Sequence, residues 1–240
     1  MTFSILARDP CTGEIGAAVA SRFFAVGALC IHVEGGVAAL ATQALVNPLY
    51  AVQAMPRLRA GEAPEAVLRS LVDPDPGKPQ RQFHILDAQG RCAQHTGPDC
   101  VAWAGQVRGA DVSAAGNMLS GEPVVHAMLE GFQRSAGELA ERLISALEAG
   151  EAVGGDKRGR QSAGVKVCGA DPYPMLDIRA DDHTDPLAEL RRLHRVSQER
   201  YAVFRRHLAG AADPWGTLDR GVIEAAILRD GRPLTVNSDE

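Results

Sequence analysis

Strand-like runs arrive in bunches along this chain with pairs of helices between them, and that order constrains the fold more than any motif does. Thr2 to Arg8 and Ile15 to Phe23 are runs of apolar or small residues joined by Asp9-Pro10-Cys11-Thr12-Gly13. The proline and glycine supply the fixed and the positive backbone angles of a turn, so the pair reads as a hairpin. Gly36 to Gln43 is a third apolar run. After Asn47-Pro48 the spacing of Leu49, Val52, Met55 and Leu58 predicts a helix, with Pro48 in the first turn where its missing N–H is harmless. A second short helix, Ala63 to Leu71, stops before the proline-rich loop Asp73 to Pro79.

Strand signals then resume. Gln82 to Leu86 and Arg91 to His95 flank Asp87-Ala88-Gln89-Gly90 as another hairpin, and Cys100 to Ala104 and Val112 to Ala115 read as further strands. Two helical stretches follow, Glu122 to Phe132 and Glu138 to Ala149, each with its leucines, valines or isoleucines on one face. The glycine-rich segment Gly150 to Gly159 leads into strands at Ser162 to Val167 and Met175 to Ile178. Asp185-Pro186 opens a long helix, Leu187 to Leu208, whose Leu190, Leu193, Val196 and Phe204 are expected to face inward. Strands, two helices, strands, two helices, strands and a helix together imply a layered α/β arrangement, with antiparallel sheets carrying helices on their outer faces.

At 240 residues the chain is expected to form one domain spanning 1–240, with residues 209–240 as a C-terminal extension. A hydrophobic share of 45% and a net charge of −5 give it no electrostatic reason to seek nucleic acid. There is no basic region followed by an apolar stretch at the start and no run of eighteen apolar residues, so no membrane role and a cytoplasmic location are expected. The five cysteines, Cys11, Cys30, Cys92, Cys100 and Cys168, are scattered and odd in number, which fits reduced thiols. Glycine-rich nucleotide loops, the Gly-x-Ser-x-Gly elbow and the His-Glu-x-x-His helix are missing. The run Asp181-Asp182-His183 offers hard ligands, but three neighbours cannot all point at one ion, and neither a metal nor a cofactor is expected.

The candidate chemistry sits at the other end of the chain. Thr2 directly follows the initiator, and removal of Met1 would give it a free α-amine beside its own hydroxyl. An α-amine titrates near ~8 and can act as general base for that hydroxyl, so one residue can supply both nucleophile and base.

Five ordered blocks give this placement a context: Met-Thr-Phe-Ser-Ile-Leu-Ala-Arg-Asp-Pro at the start, Ala20 to Gly27, Ala41 to Ala44 with Asn47, Gly116 to Leu119, and Gly154 to Ala163. Together they resemble the bacterial family known as domain of unknown function 1028, assigned to the N-terminal nucleophile (Ntn) hydrolases, over roughly residues 1–208. The resemblance implies a four-layer αββα sandwich like a proteasome β-subunit, with the nucleophile on the first residue of the first strand. By that similarity Thr2 falls on the nucleophile and Asn117 near the turn that binds an oxyanion. Asp156 and Ser162 resemble the polar pair that hydrogen-bonds the α-amine. The third-strand lysine of proteasome-like members has no counterpart in Gly36 to Gln43; Arg22 is the best substitute the sequence offers, with Lys157, Arg158 and Arg160 as other candidate cations.

Ser21, Arg22, Gln43, Asn47, Arg158 and Arg160 complete the candidate set as substrate-binding residues. Asn47 also suits a helix N-cap, Asn117 a turn, and Ser21 and Arg22 an ordinary strand end. The loop with Lys157 and Arg158 would suit a carboxylate-bearing substrate. Two functions follow. One is an amidase cleaving a C–N bond of a small linear amide or cyclic imide; the other is a binding or assembly protein that keeps the fold without the chemistry. The expected partners are a small-molecule substrate and a second copy of the chain in a homodimer.

Overall fold

The computed structural model describes residues 2–232. Met1, on which the α-amine depends, and the last residues of the expected extension, 233–240, lie outside the described residues. The chain divides into two compact units, one up to Leu190 and one from Arg191 onward.

In the first unit, β1 (Thr2–Arg8) and β2 (Ile15–Ser21) form the expected hairpin, followed by a short helix α1 (Val26–Cys30), then β3 (Ile31–Glu34) and β4 (Ala38–Ala44). Helices α2 (Leu49–Arg59) and α3 (Pro64–Val72) come next, then β5 (Arg81–Asp87), β6 (Cys92–Thr96), β7 (Gly105–Gly109) and β8 (Val112–Asn117). Helices α4 (Pro123–Arg134) and α5 (Leu139–Ala152), strands β9 (Ser162–Cys168) and β10 (Pro174–Ala180), and the start of α6 (Pro186–Ser197) complete it. Two antiparallel sheets result, a six-stranded one in the order β10-β9-β2-β1-β8-β7 and a four-stranded one in the order β3-β4-β5-β6.

Period-two alternation decides what each strand face meets. Along β1, Phe3, Ile5 and Ala7 join Val125, Met128, Leu143 and Leu147 of α4 and α5 in one core. Leu6, from the opposite face, joins Ile15, Ala17 and Val19 of β2 with Ala39, Ala41 and Leu86 of the smaller sheet in a second core between the sheets. On the far side of the smaller sheet, Leu40, Phe83 and Ile85 pack on Tyr50, Ala54, Val67 and Leu68 of α2 and α3. The layers therefore run helices, sheet, sheet, helices, and burial of each large apolar side chain contributes about 2 kcal/mol to holding them together.

Small residues set two close approaches. A Cβ on Gly131 of α4 would lie 2.6 Å from that of Ala149 on α5, and one on Gly27 of α1 would lie 3.0 Å from the Gly164 Cα of β9.

The structure departs from the sequence reading in three places. Cys100 to Ala104 is not a strand: the Val101 and Trp103 carbonyls accept from Met118 and Leu119 N–H groups at 2.7 and 2.9 Å, and β7 starts only at Gly105. Helix α1 and strand β3 occupy Val26 to Glu34, where no element was expected.

The third departure concerns the long helix expected over Leu187 to Leu208, which is interrupted after Ser197. Within the second unit it resumes as α7 (Tyr201–Phe204) and a 3-10 turn over Arg205–His207, and α8 (Arg220–Asp230) follows. The break frees the Gln198 carbonyl to accept from Arg232 N–H at 3.2 Å and turns Val203, rather than Phe204, onto Ile223, Ala226 and Ile227. Val196 is likewise exposed rather than inward-facing. Asp219 caps α8 by accepting from Gly221 and Val222 N–H groups. No helix among the described residues is long and apolar enough to cross a membrane.

Candidate functional site

The space between the sheets changes character along its length. At one end it is the apolar core around Leu6 and Leu86; at the other, the same alternation points Thr2, Ser4, Ser21, Gln43, Gln82, His84, Ser113 and Asn117 into it. All eight are buried, so they must satisfy one another.

They do so in one direction. The Ser4 hydroxyl donates to Gln43 Oε1 at 2.7 Å, which leaves His84 Nε2–H to donate to Ser4 Oγ at 2.9 Å. His84 Nδ1 then accepts from Ser113 Oγ at 2.7 Å, while Gln94 Nε2 donates to Ser113 Oγ at 2.9 Å. Gln43 Nε2 and Asn117 Nδ2 both donate to Gln82 Oε1, at 2.7 and 3.0 Å, and Gln82 Nε2 donates in turn to the Gly116 carbonyl at 2.9 Å. Complete burial pushes the His84 imidazole down to about 3, so it works as a neutral link.

The mouth of this polar end is a row across four strands. Ser162 of β9 is opposite Ser21 of β2, and Thr2 at the head of β1 is opposite Asn117 of β8. Thr2 Oγ1 donates to Ser21 Oγ at 3.2 Å, and Asn117 Nδ2 lies 3.5 Å from the Thr2 carbonyl oxygen. Thr2 is 7% exposed.

The glycine-rich loop is tied to two strands of this row. Ser120 N–H donates to the Gly155 carbonyl at 3.1 Å and Leu119 pairs with Asp156, which ties the loop to the end of β8. Asp156 Oδ2 accepts from Arg22 N–H at 2.9 Å, which ties it to the end of β2. The buried Asp156 thus links the ends of β2 and β8, the two strands that flank β1.

The remaining expected residues divide. Ser162 commits its hydroxyl to the chain entering α1, donating to the Phe23 carbonyl and accepting from Val26 N–H at 3.0 Å. Arg158 pairs with Asp156 at 3.3 Å, whereas Arg160 pairs with Glu151 and Asp185 at 3.4 and 2.9 Å. Arg22 turns its guanidinium to the Arg158 carbonyl at 2.9 Å. Gln43 is part of the buried network, and Asn47 stands apart from the row: its Oδ1 accepts from Leu49 N–H at 3.2 Å at the start of α2, and its Nδ2 faces Asp75. That Asp75 carboxylate is held well below its ordinary range, first by the Tyr50 hydroxyl at 2.6 Å and then by Arg81 at 3.0 Å.

Sequence reasoning missed Ser4, Gln82, His84 and Ser113. The signal was present: Gln82 and His84 share a strand face with Leu86, and a polar side chain there has to be bonded in the interior.

Two hollows flank the row. On the β2 and β9 side, a groove of about 630 Å³ is lined by Arg22, Arg160, Gln161, Asp182, His183 and Thr184. On the β8 side, a pocket of about 240 Å³ is lined by residues including Leu45, Cys100, Val101, Asn117 and Met118.

The profile of the family of unknown function DUF1028 matches residues 2–190. The chain belongs to the DUF1028 family. The match covers the first compact unit and hence the whole row from Ser162 to Asn117. Protein SPO2555 from Silicibacter pomeroyi, a DUF1028 structure, is 33% identical with a TM-score of 0.85, over 92% of this chain and 96% of that one. Anbu (ancestral beta-subunit) from Yersinia bercovieri is similar at 13% identity and a TM-score of 0.38, over 80% of this chain and 92% of that one, which is too remote to carry an argument about this DUF1028 protein. No curated protein matches the chain.

Proposed function

We propose that this DUF1028 protein is an Ntn-type amidohydrolase in which Thr2, exposed as the N-terminal residue by removal of Met1, cleaves a C–N bond of a small amide or cyclic imide. The observation that carries this reading is the register of Thr2 opposite Asn117 at the polar mouth between two sheets, with Ser21 at 3.2 Å from its hydroxyl. In the proposed reaction the Thr2 oxygen attacks the carbonyl carbon and the α-amine takes the hydroxyl proton. The oxyanion draws on donors at the end of β8, with Asn117 Nδ2 the side-chain candidate. The amine then passes its proton to the leaving nitrogen as the C–N bond breaks, and water hydrolyses the acyl-threonine ester. Asp156, which links the ends of the two strands flanking β1, is suited to orient the ammonium.

The working assembly is proposed to be a homodimer, which light scattering on purified protein tests.

One observation favours the non-catalytic reading. Lys78, Lys157 and Lys166 are engaged with Asp73, the Ala102 carbonyl and Asp177, and the groups packed behind Thr2 are neutral amides, hydroxyls and an uncharged imidazole. A binding or assembly protein would need no cation there.

Intact-mass measurement on protein made in its native host, followed by a panel of linear amides and cyclic imides, separates the two. The amidohydrolase reading expects loss of one methionine, a stable adduct at residue 2 with a β-lactone, and no turnover by Thr2→Ala. Retention of Met1, or turnover untouched by that substitution, overturns it.

A further inference from the structure

The row at the sheet end has a different hollow on each flank, and the groove side carries a cation, Arg22, with no ion-pair partner among the described residues. Arg160 in the groove is matched by Glu151 and Asp185, whereas the Asp182 carboxylate on the same groove has the neutral Gln161 Nε2 as its partner at 3.2 Å. Arg22 donates only to a neutral carbonyl and has no carboxylate partner among the described residues. Its backbone is nevertheless fixed, because its N–H is bonded to Asp156 and it directly follows Ser21, the Thr2 partner. His183, on the same groove, accepts the Asp185 N–H at Nδ1, so its remaining ring nitrogen is a donor. A guanidinium and an imidazole N–H together suit the two oxygens of a carboxylate.

The opposite side is unlike this. The pocket beside Asn117 is small and mixed, with Leu45, Val101 and Met118 beside Gln80 and Asp99. The backbones of Arg22, which follows Ser21, and Asn117 stand about two strand spacings apart on either side of β1, roughly 10 Å. A short linear amide bridges that span with its carbonyl over Thr2; a compact imide ring cannot reach both sides.

We infer that Arg22 binds the carboxylate of an anionic linear amide whose other end occupies the pocket beside Asn117. This rests on the Thr2 reading and narrows its substrate class from amides and imides at large to linear amides carrying a carboxylate on one side of the scissile bond.

The test uses N-propylsuccinamate, its neutral methyl ester and N-propylsuccinimide. Binding is followed by calorimetry and ligand-observed NMR on the Thr2→Ala protein, with turnover followed separately on the unaltered protein. The acid is expected to bind about tenfold more tightly than the ester or the imide. Arg22→Gln should erase that preference and Arg22→Lys recover part of it; Arg22 is exposed, so circular dichroism should show both variants folded. Equal binding of acid and ester, a preference for the imide, a preference that survives Arg22→Gln, or no binding of the acid at millimolar concentration overturns the inference. The two claims fail separately. Arg22-dependent binding of the acid without turnover removes Thr2 from catalysis and leaves the anion site, whereas Thr2-dependent turnover indifferent to charge does the reverse.

Discussion

Asn117 Nδ2 lies 3.0 Å from Gln82 Oε1, and this contact joins the two sheets at the mouth of the site. Gln82 belongs to the four-stranded sheet and Asn117 to the six-stranded one, so the amide that faces Thr2 is held from across the sandwich rather than by its own strand. The same Gln82 oxygen accepts from Gln43, and its nitrogen serves Thr96 and the Gly105 and Gly116 carbonyls.

Replacing Gln82 by methionine keeps the volume but strips partners from the Gln43 and Asn117 amides and from two carbonyls. With about 1 kcal/mol or more lost for each of these four buried groups, a total of about 4 kcal/mol or more is expected, read as a lower urea midpoint. A change below about 1 kcal/mol would mean that water replaces Gln82 without loss.

His84 makes the fold sensitive to acid in a defined window. Its folded value is pushed down to about 3 by burial, while an unfolded histidine titrates near ~6.5. Above the unfolded value both states are neutral and nothing is lost. As pH falls from there toward the folded value, only the unfolded chain takes the proton, and stability drops by up to about 1.4 kcal/mol per pH unit. Urea unfolding at pH 7, 6 and 5 is expected to show this slope in the unaltered protein and a shallower one in His84→Gln; parallel slopes refute it.

Ser21→Ala removes the hydroxyl that accepts from Thr2 Oγ1. A neutral hydrogen bond of about 1 kcal/mol corresponds to a drop of roughly fivefold in kcat on whichever substrate the panel identifies, with KM little changed. An unchanged kcat would show that this contact plays no part in orienting the nucleophile.

Gly27→Ala tests why glycine closes the Ala20 to Gly27 block. The added methyl would sit 3.0 Å from the Gly164 Cα and 3.0 Å from Arg179 Cδ, and the Gly164 backbone cannot move aside as a side chain can. Thermal unfolding should register a loss of about 2 kcal/mol.

Much of the architecture was legible because alternating burial leaves a period-two trace in β1, β2, β5 and β9, and turn residues punctuate it. Val26 to Glu34 was not, since a five-residue helix and a four-residue strand are too short to show any period. Thr2, Ser21 and Asn117 could be nominated from motif blocks, but their assembly into one row depends on β1 lying between β2 and β8, a pairing order no local pattern contains. Asn47 shows the reverse case, a residue engaged by its near neighbours in sequence, with its Oδ1 accepting from Leu49 N–H at the start of α2.

Because β1 starts at a buried Thr2 in the interior of the larger sheet, the amino end of this protein is not a neutral place to attach anything. A purification tag fused there would have to be accommodated directly beside the buried row of Ser21, Thr2 and Asn117. On the proposed Thr2 chemistry, a negative assay of protein labelled at that end would describe the tag rather than the protein.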